Sequence, residues 1–306
     1  MQSFSTIKNL KKVDKNAQNY TYPIQHGGLR TKGWIKENDI ENKLPLFSII
    51  TVVYNRSKFI ERCIRSVLNQ TYQNIEYIII DGKSNDGTLK IIKSYEEYLD
   101  LWTSEQDEGI YDAINKGINY SNGFTLMLHS DDCLADENVL LNISKGILSN
   151  NEIIFGSVKN YNEIVEWVYP QLNDTINNLW VEKNPIPHQS VFIFHTIHKK
   201  FLFTERDLSI ANDKLVLTKL SKIYKVKYIP LIVSLVQLGG ESNDWKSLKK
   251  VFDTNRQHFL VNKKLEKFSS LKEIVYLYAS SIIKFFVFRY LGKLTFYKLF
   301  YRKFLK

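Results

Sequence analysis

The chain has 306 residues, with 44% hydrophobic and 24% charged content, enough for a large folded core with an appendage or for two domains. The net charge of +10 is unevenly placed: Lys284, Arg289, Lys293, Lys298, Arg302, Lys303 and Lys306 fall in residues 281–306, a stretch with no acid. The body is therefore near neutral, which argues against a nucleic-acid-binding core. Two cysteines, Cys63 and Cys133, exclude a disulfide framework. "MQSFSTIKNLKK" lacks the apolar run of a signal peptide, and the longest apolar candidate, "IVYLYASSII" (274–283), is too short to span a bilayer. A cytoplasmic location is the expectation.

Residues 1–44 are polar and weakly patterned, an N-terminal arm in which "HGGLRTKGW" reads as loop. Pro45 opens a different region. "FSIITVV" (47–53) is a β-branched run, as in a strand buried on both faces. "SKFIERCIRSVLNQ" (57–70) carries Ile60, Ile64, Val67 and Leu68 at helical spacing, with Ser57 placed to cap. "IEYIII" (75–80) is a second buried strand, and "DGTLKIIKSYEEYL" a helix with Asp86 near its start. "LWTSE" (101–105) is a short strand. "IYDAINKGI" is a helix with Ile110, Ala113, Ile114 and Gly117 facing inward, and "FTLMLHS" (124–130) is a strand ending in Asp131–Asp132. Four alternations in about 90 residues predict right-handed βαβ units on a mostly parallel sheet, an α/β fold.

Beyond residue 150 the pattern loosens. "EIIFGSVKNYNEIVEWVYP" reads as two strands about a turn, "PIPHQSVFIFH" as a loop into a strand, "IANDKLVLTKLSKI" as a helix and "IPLIVSLVQLGG" as a last strand. After Trp245 the chain reads as helix, first polar, then aromatic and basic. In "KFFVFRYLGKLTFYKLFYRKFLK" nine aromatics interleave with the cations, a pattern suited to the headgroup layer of an anionic membrane or to packing on the main domain.

Ligands of open parallel sheets bind beyond the strands' carboxyl ends. The polar residues there are Asn55, Asp81, Glu105, Asp107, Asp131 and Asp132. Carboxylates at three neighbouring strand ends would repel one another, and a cation or ligand donors would relieve this. The "IIIDGKSNDGT" loop fails the calcium EF-hand template, because Lys83 and Asp86 occupy its third and sixth positions; no dinucleotide or P-loop glycine motif is present. Asp81 can end a plain turn, or accept a hydrogen bond from a base N–H. "HSDD" can cap the next helix, or hold Mg²⁺ or Mn²⁺, which use one or two carboxylates plus substrate phosphates.

"FSIITVVYNRSKFIERCIRSVLNQTYQNIEYIIIDGKSNDGT", "SEQDEGIYDAINKGI" and "HSDD", followed by "IPHQSVFIF", "ANDKLVL" and "LGGES", together resemble the family 2 inverting glycosyltransferases of GT-A fold, most closely the bacterial enzymes of cell-surface polysaccharide synthesis. The likeness covers about 200 residues. It implies a GT-A domain over 45–242, with a nucleotide-sugar half (45–135) and an acceptor half (150–242); residues 243–306 lie beyond the likeness and are expected to be a helical extension. It implies a UDP- or dTDP-sugar donor, Mn²⁺ or Mg²⁺ as cofactor, and a saccharide or lipid-linked saccharide acceptor at the inner membrane face; the basic-aromatic pattern would put 270–306 on the lipid, and the near-neutral body leaves no nucleic-acid partner expected. Thr51, Val53 and Asn55 would underlie the nucleotide and Asp81 would bind its base. Asp131 would touch the ribose or diphosphate, and Asp132 the metal. Asp213 falls at the family's catalytic base, although Asn212 and Lys214 replace the longer acidic signature usual there. Asp107, His188 and Gln189 are further donor or acceptor contacts. The rival expectations are a nucleotidyltransferase, disfavoured by the glycine-poor "YNRSKF" loop, and a non-catalytic nucleotide-sugar binder.

Overall fold

The computed structural model describes residues 10–12, 23, 25–37, 44–176, 180–181, 184–238, 247–265 and 271–301. Most of the N-terminal arm, the "GGES" half of the last motif, and Arg302, Lys303 and Lys306 of the basic tail lie outside the described residues.

The strands are β1 (Lys11–Lys12), β2 (Gln25–Gly27), β3 (Trp34–Ile35), β4 (Phe47–Val53), β5 (Ile75–Asp81), β6 (Leu101–Ser104), β7 (Phe124–Met127), β8 (Cys133–Leu134), β9 (Glu152–Tyr161), β10 (Glu166–Tyr169), β11 (Val191–Phe194) and β12 (Lys225–Gln237). The helices are α1 (Ile60–Leu68), α2 (Thr88–Ser94), α3 (Ile110–Tyr120), α4 (Val139–Ser144), α5 (His195–His198), α6 (Asn212–Ser221), α7 (Leu248–Lys264), α8 (Leu271–Phe286) and α9 (Gly292–Phe300), with a π-helical turn at Val287–Leu291.

One sheet runs β2-β6-β5-β4-β7-β11-β9-β12-β8, and β10 pairs on β9. Its central strands β6, β5, β4 and β7 are parallel, while β2 and β11 flank them antiparallel. This is the expected α/β sheet. Along β4 the side chains alternate between two cores. Phe47, Ile49 and Val53 pack with α1, and Ile50 and Val52 pack with α3, so apolar residues fall on both faces of the strand. Gly117 lets α3 lie close on β4: an added Cβ would stand 2.3 Å from Ile50 Cγ2.

Two local expectations change. Ser57 does not cap α1; its N–H donates to Asp86, and the helix starts after Phe59. Ile110 is exposed, and the inward face of α3 is Ala113, Ile114, Gly117 and Ile118.

Part of the described N-terminal lead-in belongs to this sheet, while β1 and β3 pair with each other in a separate two-stranded sheet. Gln25–Gly27 pair with β6, and Arg30 and Lys36 reach under it. Arg30 donates to Glu76, while Lys36 pairs with Asp100 at 2.9 Å; all four side chains are buried. Buried charges persist only when paired and hydrogen-bonded, and these two pairs fix the segment to the sheet.

Candidate active site

The carboxyl ends of β4 to β7 converge on one cleft. Here β4 is continued by "YNR", which turns at Asn55 with a left-handed φ of 52°. Asn55 stitches two loops together: its N–H donates to Ser84 Oγ at 2.8 Å, and its Oδ1 accepts from Asn85 N–H at 2.9 Å. Asp86 completes the stitch. Burial raises its pKa, but the Ser57 and Thr88 donors outweigh that and hold it well below the usual carboxylate range.

Thr51 and Val53 lie beneath the cleft rather than on it. Thr51 is fully buried, with its hydroxyl on Tyr77 Oη at 3.1 Å and Cys63 Sγ at 3.6 Å, and Val53 is in the α1-side core. Asp81 is 0% exposed and accepts from Ser104 Oγ at 2.6 Å and Ser84 N–H at 3.1 Å. Next to it, Gly82 makes room for Asp107: a Cβ there would be 2.5 Å from Asp107 Oδ2 and 3.4 Å from the Tyr54 ring. Burial raises the pKa of Asp107, with the Gly109 N–H opposing it. Sequence reasoning passed over Tyr54. Its ring is 59% exposed at the end of a fully buried strand, beside Gly82 and Asp107. The signal was available in "TVVYNR", where an aromatic follows directly on the strand.

The expected crowding of carboxylates is relieved in part by the protein's own cations. Asp131 pairs with Arg56 at 3.1 Å, and Arg62 donates to the Asp131 carbonyl at 2.7 Å. Lys116 bridges Glu105 and Asp112, each at 3.0 Å. Asp132 is different. It is 3% exposed and accepts the Gln237 N–H at 3.1 Å; burial pushes its pKa up to about 7 against that bond and the field of His188. A buried carboxylate so weakly compensated fits a divalent cation. Among the described residues no group of three or more His, Cys, Asp or Glu could hold a metal by itself.

Across the cleft, Asp213 sits in the first turn of α6. Its Oδ1 accepts from Tyr111 Oη at 3.0 Å and its Oδ2 from His188 Nδ1 at 2.7 Å. Burial raises its pKa, and the field and bond of His188 with the Tyr111 bond outweigh this, so the net direction is down and the group is ionised at neutral pH. Asp213, His188, His129, Tyr111, Met127 and Ile210 are among the residues lining one cavity of about 330 Å³. A neighbouring cleft of about 370 Å³ runs past Tyr111, Phe203 and Arg206. Gln189 is half-buried and engaged through its carbonyl with Ser234 Oγ. Trp167 and Tyr169, on β10, are used in packing: Trp167 stacks on Tyr301 and Tyr169 lies against Trp180.

Comparison with known proteins gives the family and the fold. The model of glycosyl transferase family 2 matches residues 48–206, more than half of the chain, and the chain belongs to that family. A glycosyltransferase of Mycobacterium tuberculosis is 28% identical over 56% of this chain and 66% of its own, and the chondroitin synthase of Escherichia coli is 29% identical over 74% of this chain and 33% of its own. The chain spans about two thirds or less of these relatives' length. Among solved structures, Staphylococcus aureus TarS in complex with UDP-GlcNAc superposes with a TM-score of 0.59 at 19% identity, covering 80% of this chain and 73% of that one. The mannosyltransferase PcManGT of Pyrobaculum calidifontis, in complex with GDP-Man and Mn²⁺, gives 0.57 at 14%, covering 85% and 79%. These likenesses show the GT-A fold.

Proposed function

We propose that the chain is an inverting glycosyltransferase that moves a sugar from a UDP- or dTDP-sugar to a saccharide or lipid-linked saccharide in cell-surface polysaccharide synthesis. The observation that carries this reading is an Asp213 carboxylate held by Tyr111 and His188 in a cavity that His129 also lines, with the buried Asp132 hydrogen-bonded through its N–H to the His129 carbonyl. Asp213 lies beyond the residues matched by the family model, so its role rests on geometry. The complexes of TarS with UDP-GlcNAc and of PcManGT with GDP-Man support a nucleotide-sugar ligand.

Tyr54 would stack on the base, with Asp81 or Asp107 meeting its N–H edge. Asp81 receives Ser104 and Ser84 chiefly on Oδ2 and keeps lone pairs on Oδ1, but it is fully buried, so the loop over it would have to open for the base to reach it. Arg56, already turned toward Asp131, is within the same loop cluster to meet the diphosphate. Asp132 would hold Mn²⁺ or Mg²⁺, with Asp131 beside it. Such an ion neutralises the charge that gathers on a departing diphosphate. Asp213 takes the proton of the acceptor hydroxyl as its oxygen bonds the anomeric carbon. The carbon–phosphate oxygen bond breaks and its electron pair leaves with the nucleoside diphosphate. One displacement inverts the anomeric centre.

The C-terminal segment supports a membrane-surface site of action on the cytoplasmic side. Tyr290, Leu291, Leu294 and Leu299 are exposed among Arg289, Lys293 and Lys298. Among the described residues no helix is long and apolar enough to cross a membrane. Such a face would rest in the headgroup layer. Incubation with a panel of nucleotide sugars and Mn²⁺ tests the reading. Release of a nucleoside diphosphate is expected; release of pyrophosphate instead would make the chain a nucleotidyltransferase.

A further inference from the structure

Three side chains from three separate segments form a hydrogen-bonded chain along the cleft. His129 stands three residues before Asp132, His188 opens the short 3₁₀ turn His188–Ser190 before β11, and Asp213 is in the first turn of α6. His188 Nδ1 meets Asp213 Oδ2 at 2.7 Å, and His188 Nε2 meets His129 Nε2 at 2.8 Å. The two rings are edge-on, 5.0 Å apart at 79°.

The protons of this chain can be counted. An ionised carboxylate only accepts, so His188 Nδ1 carries a hydrogen. The facing Nε2 atoms can share one proton only, because two lone pairs or two N–H groups at that separation repel. The shared proton belongs either to His129 or to His188. In both arrangements the Nδ1–H of His188 points at Asp213.

We propose that His188 is a positioning residue that fixes the plane of the Asp213 carboxylate, with His129 as the strut that holds this dyad at a set distance from the Asp132 loop. The proposal rests on the reading of Asp213 as the base. The second torsion of an aspartate is soft, so an unheld carboxylate samples many orientations. Tyr111 on Oδ1 and His188 on Oδ2 give each oxygen one donor and leave each a lone pair for the acceptor hydroxyl. The apolar walls Ile110, Ile114, Met127 and Ile210 keep these bonds in a low dielectric, where they hold geometry best. The chain also joins the acceptor side of the cleft to the segment that carries Asp132, so donor loop and base are set by one network.

The test has two arms. Long-range ¹H–¹⁵N spectra of the full chain, whose six histidines are assigned by single substitution, report ring protonation without any substrate. A protonated Nδ1 on His188 that shifts in Asp213→Asn is expected; a bare Nδ1 with hydrogen on Nε2 alone overturns the proposal. The kinetic arm uses the panel donor that supports nucleoside diphosphate release. His188→Phe should lower kcat about 100-fold, the usual scale for a misplaced catalytic group, at unchanged donor KM. His188→Asn, whose amide nitrogen stands where Nδ1 stood, should recover at least about tenfold of that loss. Wild-type kcat in His188→Phe, or no recovery in His188→Asn while UDP binding shows it folded, overturns it. If Asp213→Asn itself turns over normally, the base reading fails. If Asp213→Asn is inactive and His188→Phe is not, only the positioning role fails.

Discussion

Glu76→Gln is the most informative single change to the frame that supports the site. Glu76 is 0% exposed and its carboxylate gathers four donor contacts. Oε1 accepts from Arg30 and from Asn122 Nδ2 at 3.0 Å; Oε2 accepts from Ser48 Oγ at 2.7 Å and Asn122 N–H at 3.0 Å. A glutamine has nearly the same shape, so no cavity forms. Its NH₂ must replace one oxygen, and either choice turns a donor toward a donor. Placed at Oε1 it faces the Arg30 guanidinium; placed at Oε2 it faces the Asn122 N–H. Arg30, 2% exposed, also loses the negative charge that balances it. Removing one partner of a buried pair costs about 3–5 kcal/mol. For a domain of this size that lowers Tm on the order of 10 °C. Urea unfolding followed by circular dichroism measures it. Glu76 is five residues along β5 from Asp81, roughly 17 Å away, so UDP affinity of the folded variant should be unchanged. A loss under about 1 kcal/mol would refute the reasoning that this ion pair carries an uncompensated charge when broken.

Three further outcomes are expected. In Asp132→Asn the metal-free protein should melt no lower than the wild type, because a poorly compensated buried charge is removed, while the rise in Tm on adding Mn²⁺ with UDP should vanish; an undiminished Mn²⁺ effect would place the ion elsewhere. Tyr54→Ala should weaken UDP binding by about 1–3 kcal/mol in calorimetry, the scale of one base–aromatic stack, and an unchanged Kd would remove Tyr54 from the base site. Replacing Leu291, Leu294 and Leu299 by serine should weaken co-sedimentation with phosphatidylglycerol vesicles by more than about tenfold, since each buried leucine contributes about 1.5–3 kcal/mol. Equal sedimentation of the two proteins would mean that this face does not meet lipid.

The central sheet was legible because β4 and β5 are buried on both faces and are therefore filled mainly by β-branched and aromatic residues, with Ser48, Thr51, Glu76 and Asp81 as hydrogen-bonded exceptions. The strand-end acids were legible for the same reason: a carboxylate directly after a buried strand is conspicuous. Their partners were not. Arg56, Lys116 and Ser104 reach Asp131, Glu105 and Asp81 only through the fold, so crowding relieved in part by the chain itself read as crowding that awaits a ligand. Thr51 and Val53 sit at a strand end in sequence, but the pleat turns both toward α1. The role of Gln25–Gly27 and Arg30 escaped notice because a three-residue edge strand and a buried arginine leave no periodic trace. The His129–His188–Asp213 chain spans 84 residues of sequence, and no local pattern announces it.

The stereochemistry of the transferred sugar tests the central claim most directly. Proton NMR of the first product formed from an α-linked UDP-sugar should show the β-configured anomeric coupling, and Asp213→Asn should form that product at least about 100-fold more slowly with UDP affinity retained. An α-configured product, or Asp213→Asn turning over at the wild-type rate, would contradict single-displacement transfer with Asp213 as the base.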